Sequence, residues 1–253
     1  DLLIELHNRK ASTHLILMTS KNVEENLLHL RKCNFIDTVI TQDPEDRPLT
    51  IRTVLTTLTK VLSQDIFGAE KYLTWGVEVQ TRAVKSSHQR QELKEEMMAY
   101  FKRIGVRQTV LDRCFSVTEE LLMNAIYDAP TDDKGSSLYN HYSRRTEVSL
   151  NIDLQSQLKY ACDGIYLAIA VVDPFGGLSK DTIVNYLESC YQGRAGSLNQ
   201  GKGGAGRGLH QIIENSDLTI FNVQKGVQTE VVSLFYVESN KKEPTPSFHY
   251  FFS

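Results

Sequence analysis

The chain has 253 residues, with 28 Lys and Arg against 31 Asp and Glu for a formal charge of -3. That length admits one large domain or two modest ones, and the near balance of charge excludes the polycationic field that draws proteins to nucleic acid. Cys33, Cys114, Cys162 and Cys190 are too scattered for a zinc site or a small disulfide framework, and no run approaches the roughly 20 apolar residues of a membrane helix; a cytoplasmic protein with reduced thiols is expected, partnered by neither nucleic acid nor membrane.

In chain order, LLIEL and HLILMTS read as strands, and KNVEENLLHLRKC places Val23, Leu27, Leu28 and Leu30 at helical spacing. DTVIT reads as a further strand. QDPEDRPLTIRTVLTTLTKVL is a Pro-rich turn leading into an amphipathic helix with Leu55, Leu58 and Leu62 on one side. This alternation predicts a doubly wound α/β arrangement. Residues 1–63 resemble the second half of a response-regulator receiver domain, in which an apolar strand ends in Thr or Ser as at Thr19 and Ser20. TQDPEDRP stands where that family has Lys-Pro, and Glu5 and Leu6 stand where the phospho-acceptor Asp belongs. The resemblance therefore implies a partial, degenerate receiver that accepts no phosphoryl group; an unrelated α/β docking module is the other reading.

Residues 64–88 read as a connector containing the single Trp, Trp75. From residue 89 the spacing of Leu93, Met97, Phe101 and Ile104 predicts a helix stopped at Gly105. That helix could pair two chains into a homodimer. His88, just before it, reads as a surface histidine at a helix start.

Three further stretches carry chemistry. In LDRCFSVTEELLMNAIYDA, Ser116, Glu120, Asn124 and Asp128 recur every four residues and form one polar stripe on an otherwise apolar helix. A carboxylate among apolar faces persists only with a partner or a ligand cation. Asn124 could offer an oxygen to Mg2+, and Glu120 could take a proton from an attacking oxygen. GIYLAIAVVDPFGGL is a strand from Ile165 to Val172 that ends at Asp173 in a Pro and Gly turn, where a carboxylate can accept a hydrogen bond from an exocyclic amine such as that of adenine. GKGGAGRGLHQI leads into a helix over about residues 206–215. Its glycines let backbone amides approach a phosphate at the positive end of that helix, with Lys202 and Arg207 adding charge. Alone, this loop reads equally as a flexible linker.

The order EELLMN, VVDPFGG and GKGGAGRGL, followed by the strands DLTIFNV and QTEVVSLFYV, resembles the Bergerat-type ATPase superfamily of gyrase, the large heat-shock chaperone, histidine kinases and mismatch-repair proteins. Within it the chain is most similar to the bacterial anti-sigma factor serine kinases, which share the terminal Gly-x-x-Thr-Glu-Val seen here as GVQTEV. The resemblance implies an ATP site in which Glu120 is general base, Asn124 binds Mg2+, Asp173 reads adenine, and Gly204, Gly206 and Gly208 hold the phosphates. Where the family follows the strand-end Asp with two glycines, Phe175 takes the first place and Gly177 the second, so Phe175 either crowds the adenine or stacks on it. Residues 192–200, QGRAGSLNQ, would be a lid, and the insertion PTDDKGSSLYNHYSRR, with Arg144 and Arg145, reads as a solvated loop.

The implied fold is α/β: a Bergerat-type sandwich over residues 89–253, its mixed sheet covered on one face by helices, preceded by the partial receiver-like segment. The implied function is ATP- and Mg2+-dependent signalling through a protein partner, such as a sigma factor or its antagonist. It is realised as serine/threonine phosphotransfer, as a non-catalytic nucleotide-gated interaction module, or as histidine-kinase-like autophosphorylation, for which no phospho-acceptor motif precedes the domain.

Overall fold

The apolar runs ILMT and TVIT form β1 (Ile16–Thr19) and β2 (Thr38–Thr41), a parallel pair in which Ile16 lies opposite Thr38. Residues 27 and 30–32, between them, are helical, as the leucine spacing predicts; residue 5, inside the first expected strand, is helical as well. The computed structural model describes residues 5, 14–19, 27, 30–32, 34–42, 47–191, 205–238 and 247–253. Helix α1 (Arg47–Ser63) follows. The expected connector is more ordered than its weak pattern suggests: it contains a 3-10 turn, Ala69–Tyr72, and an edge strand, β3 (Gln80–Val84). Helix α2 (Arg90–Arg103) buries Leu93, Met97 and Phe101 while Ile104 stays exposed. Gly105 then adopts φ 86°, and the amide of Val106 reaches back to the carbonyl of Phe101 at 3.1 Å, closing the helix with a left-handed glycine cap.

The remaining elements are α3 (Gln108–Met123), β4 (Ser156–Cys162), β5 (Tyr166–Asp173), α4 (Lys180–Tyr191), α5 (Ala205–Asn215), β6 (Leu218–Gln224), β7 (Gln228–Tyr236) and β8 (Phe248–Phe252). All the strands join one mixed sheet in the order β1-β2-β8-β6-β7-β5-β4-β3. The last strand is inserted between the N-terminal pair and the rest, antiparallel to β2 and parallel to β6. β1 and β2 therefore extend the same sheet as the C-terminal strands.

Period-two alternation assigns the faces. On β5, Leu167, Ile169 and Val171 share a core with Met97 and Phe101 of α2 and Val117 and Leu121 of α3. Tyr166, Ala168 and Ala170 pack on the other side, with Ile220, Leu234, Phe251 and the turn residues Ala69 and Tyr72. Helices thus cover both faces, rather than the one expected. The reason lies in the strands: the first six residues of β6, LTIFNV, are all buried, and a strand apolar on both sides must be covered on both sides.

Helix α1 covers the second face with its polar side. Leu55 and Leu62 are 59% and 83% exposed, whereas Thr53, Thr57 and Lys60 are buried. The Lys60 ammonium donates to Tyr72 Oη at 2.9 Å and Asn222 Oδ1 at 2.8 Å. Asn222 Nδ2 in turn donates to Glu230 Oε2 at 2.7 Å, an oxygen that also accepts the Gly68 amide at 2.8 Å. Burial pushes Lys60 down to about 7 against the opposing pull of Glu230. A sheet carrying Asn222 and Glu230 at this place selects the threonine and lysine stripe of α1, because a leucine there would leave Asn222 Oδ1 without its donor and the Glu230 charge without a cation.

Candidate functional site

Helix α3 does not end at Met123. It widens into one π turn, Asn124–Asp128, marked by the Ala129 amide bonding the Asn124 carbonyl five residues back at 2.8 Å. Such turns displace side chains from the ordinary helical stripe and recur at functional sites. Of the two adjacent glutamates before it, Glu119 is held by Arg90 at 2.7 Å and Lys94 at 2.6 Å. Glu120 takes neither cation and faces α5. A Cβ added to Gly208 would stand 2.5 Å from Glu120 Oε2 and 3.5 Å from Asn124 Oδ1. The glycine motif and the Glu and Asn helix therefore meet side by side. Gly208 is required for this close approach, inside the helix, and Gly206 lies in the first turn of α5. Two further bonds clamp the helices together: Gln211 Nε2 to Ser116 Oγ at 2.8 Å, and Arg113 Nε to the Asn215 carbonyl at 2.8 Å. Ser116 thus serves the clamp, while the next two members of its stripe face the glycine.

Electrostatically, the Glu120 carboxyl is pushed above the ordinary glutamate range, chiefly by burial and then by the charge of Glu119, while Arg144 pulls it down and Asp128 pushes it up. Arg144 comes from the expected solvated insertion, yet it turns inward. Its Nη2 bonds both Asp128 oxygens at 2.7 Å. Its guanidinium lies 5.1 Å over the Tyr127 ring, whose hydroxyl is anchored on the Thr146 carbonyl at 2.6 Å. Asp128, the fourth member of the sequence stripe, was the signal that could have drawn Arg144 into the site.

Asp173 continues the series Leu167, Ile169 and Val171, so alternation puts it on the face that α3 covers, directly opposite Thr229 of β7. The π turn packs on the same strand, its Ala125 and Ile126 sharing a core with Ile169 and Val171. Asp173 Oδ1 accepts the Phe175 amide at 3.0 Å. Burial nevertheless pushes its carboxyl up to about 6, opposed by the amides of Phe175 and Gly176 and by Thr229. Phe175 is half-buried.

The glycine that this turn requires is Gly176. Its φ is 60°, and a Cβ there would lie 2.1 Å from the Gln224 carbonyl and 2.6 Å from the Gly226 amide, which donates to the Gly176 carbonyl at 3.2 Å. Gly177, the expected member, is exposed with open space where a Cβ would go. The Gly-Gly doublet signals the turn, and the contact with the β6–β7 hairpin decides that Gly176 is the member that bears it.

Lys202, Gly204 and the expected lid, residues 192–200, lie outside the described residues, as does the side chain of Arg207. Among the described residues no group of three or more His, Cys, Asp and Glu could hold a metal ion, and no helix is long and apolar enough to cross a membrane. The side-chain oxygens beside Gly208 are few: Asn124 Oδ1 and the Glu120 carboxylate. That sparse oxygen set fits Mg2+, which keeps waters and draws ligands from substrate phosphates rather than from an all-protein cage. Two open surface grooves, one bordered by Met98 and Phe115 and the other by Ile51 and Leu55, lie on other faces of the helices. Neither a known family model nor a curated protein matches the chain.

Proposed function

We propose that the chain binds ATP with Mg2+ at the cluster of Glu120, Asn124, Asp173 and the N-terminal half of α5, in the manner of Bergerat-type ATPases, and acts on a protein partner as a serine/threonine kinase or anti-sigma-type regulator. The observation that carries this reading is Gly208: the glycine motif, read as phosphate-binding, abuts the carboxylate and amide of α3 so closely that no side chain fits between them. Asp173 supports it as an acceptor on the same face of the sheet.

Each residue has a task in this scheme. Asp173, held by the Phe175 amide, accepts the exocyclic amine of the base. Gly206 lets the first turn of α5 approach phosphate, whose charge the helix N-terminus favours, while Gly208 brings that turn against Glu120 and Asn124. Asn124 holds the Mg2+, which when bound neutralises phosphate charge. Glu120, whose proton affinity is raised by burial, takes the proton of the attacking hydroxyl. Adjacent Glu119 is occupied with Arg90 and Lys94, which leaves Glu120 the carboxylate available for this step.

The test has two stages. Mg-ATP should raise the melting temperature of the wild-type chain, and chelating the metal should cancel the rise; no shift at millimolar Mg-ATP refutes the proposal. Glu120→Gln, which keeps the shape against Gly208, should preserve that rise and abolish transfer of labelled γ-phosphate to a co-purified partner. Unchanged transfer would remove Glu120 from the chemistry.

A further inference from the structure

Arg144 stands out among the charged groups that the proposed chemistry leaves unused. Its Nη2 spans both oxygens of Asp128, yet its Nη1 is buried and has no hydrogen-bond partner among the described residues. A buried guanidinium nitrogen without an acceptor is costly, since the donor has been stripped of water with nothing in exchange. Arg144 is also the cation that acts on Glu120, pulling its proton affinity down. With Glu120, Asp128 and Arg144 charged, the cluster carries one net negative charge and repels phosphate; a divalent cation reverses that sign. The guanidinium is thus one acceptor short, and it sits beside the carboxylate that would face the terminal phosphate.

We infer that Arg144 is a specificity-determining residue of this site, donating from Nη1 to an oxygen of the ligand's terminal phosphate while Asp128 holds the guanidinium in place. This rests on the ATP site proposed above. It assigns the insertion after α3 a part in telling a nucleoside triphosphate from a diphosphate. Planar guanidinium suits the task, because one nitrogen can stay on the carboxylate while the other serves an anionic oxygen.

The test is calorimetric titration of the full chain with Mg-ATP and Mg-ADP. Arg144→Gln should weaken Mg-ATP about tenfold or more, the effect of losing one charge-assisted hydrogen bond, while Mg-ADP stays within about threefold. Because that variant leaves Asp128 unpaired, the double variant Arg144→Gln, Asp128→Asn is measured alongside and should melt near wild type with the same ATP-selective loss. Asp128→Asn alone keeps the cation and one acceptor for Nη2, and should cost Mg-ATP less than Arg144→Gln does; a role that was purely structural would make it lose as much as Arg144→Gln. The exposed neighbour variant Arg145→Gln should change neither affinity. Equal loss of ATP and ADP, or wild-type ATP affinity in both Arg144 variants, overturns the assignment and leaves the nucleotide site standing. Absence of nucleotide binding by the wild-type chain overturns the site itself.

Discussion

At the scale of single residues, the site is built from groups that cost the fold something. Asp173 has its carboxyl raised from 3.8 to about 6 by burial, so the folded state holds a proton that the unfolded chain releases. The sign follows: with respect to this group stability is greatest at or below about pH 4 and declines as pH rises through 6, by at most about 3 kcal/mol. Asp173→Asn should remove that decline, making the variant's melting temperature exceed that of wild type by a margin that widens from pH 4 to pH 7, while nucleotide binding is lost. A constant margin would contradict the burial of the charge. Gly176→Ala should be far more damaging, by about 3 kcal/mol or more, because it combines a left-handed backbone with a Cβ driven into fixed backbone atoms of the β6–β7 hairpin; a urea titration measures it. The polar stripe on α3, the carboxylate ending β5 and the glycines opening α5 were all legible from residue type and spacing. That Gly176 rather than Gly177 bears the turn was not, because the hairpin atoms that exclude a side chain there come from some 50 residues further along the chain. Arg144 was equally hidden: an arginine in a polar insertion has no periodicity to reveal which carboxylate it will meet.

At the scale of elements, α1 shows how a sheet can override an amphipathic pattern. Its leucines repeat at helical spacing, yet they face outward and Lys60 faces in. The hydrophobic gain from burying Leu55 and Leu62 is outweighed by the requirement to give Asn222 Oδ1 a donor and the Glu230 charge a cation, both fully buried in the middle of the sheet. Lys60→Met should therefore destabilise by about 1–3 kcal/mol for each acceptor left bare, Tyr72 Oη and Asn222 Oδ1. Leu62→Lys, two residues away, should stay within about 0.5 kcal/mol of wild type. Urea midpoints of the two variants decide the matter, and the opposite ranking would mean that α1 is turned the other way. Helices α2 and α3 raised no such conflict: their apolar faces meet the apolar face of β5 and β7, so periodicity alone located them.

At the scale of the whole molecule, the expected boundary near residue 63 falls inside a continuous sheet. β8 pairs with β2 on one side and β6 on the other, and its residues lie more than 200 positions from those of β2. Pairing over that separation leaves no trace in local pattern, which is why the N-terminal strands were legible and their attachment was not. A chain shortened to begin at residue 65 should lose the cover over Ile220, Val232 and Phe251 together with the Lys60 bonds. It should bind a hydrophobic dye and elute as aggregate in size-exclusion chromatography; a monomer with native melting would show that the two parts fold apart. The sheet also ties two chemistries to one dipeptide. Thr229 lies opposite Asp173 on the α3 side, while its neighbour Glu230 accepts from Gly68 and Asn222 on the α1 side. An insertion of one residue ahead of Thr229 would turn both to the opposite faces, moving Thr229 to the Lys60 side and the Glu230 carboxylate to the Asp173 side, opposite Val171. Length changes in β7 can accordingly be tolerated only in twos, whatever letters are inserted.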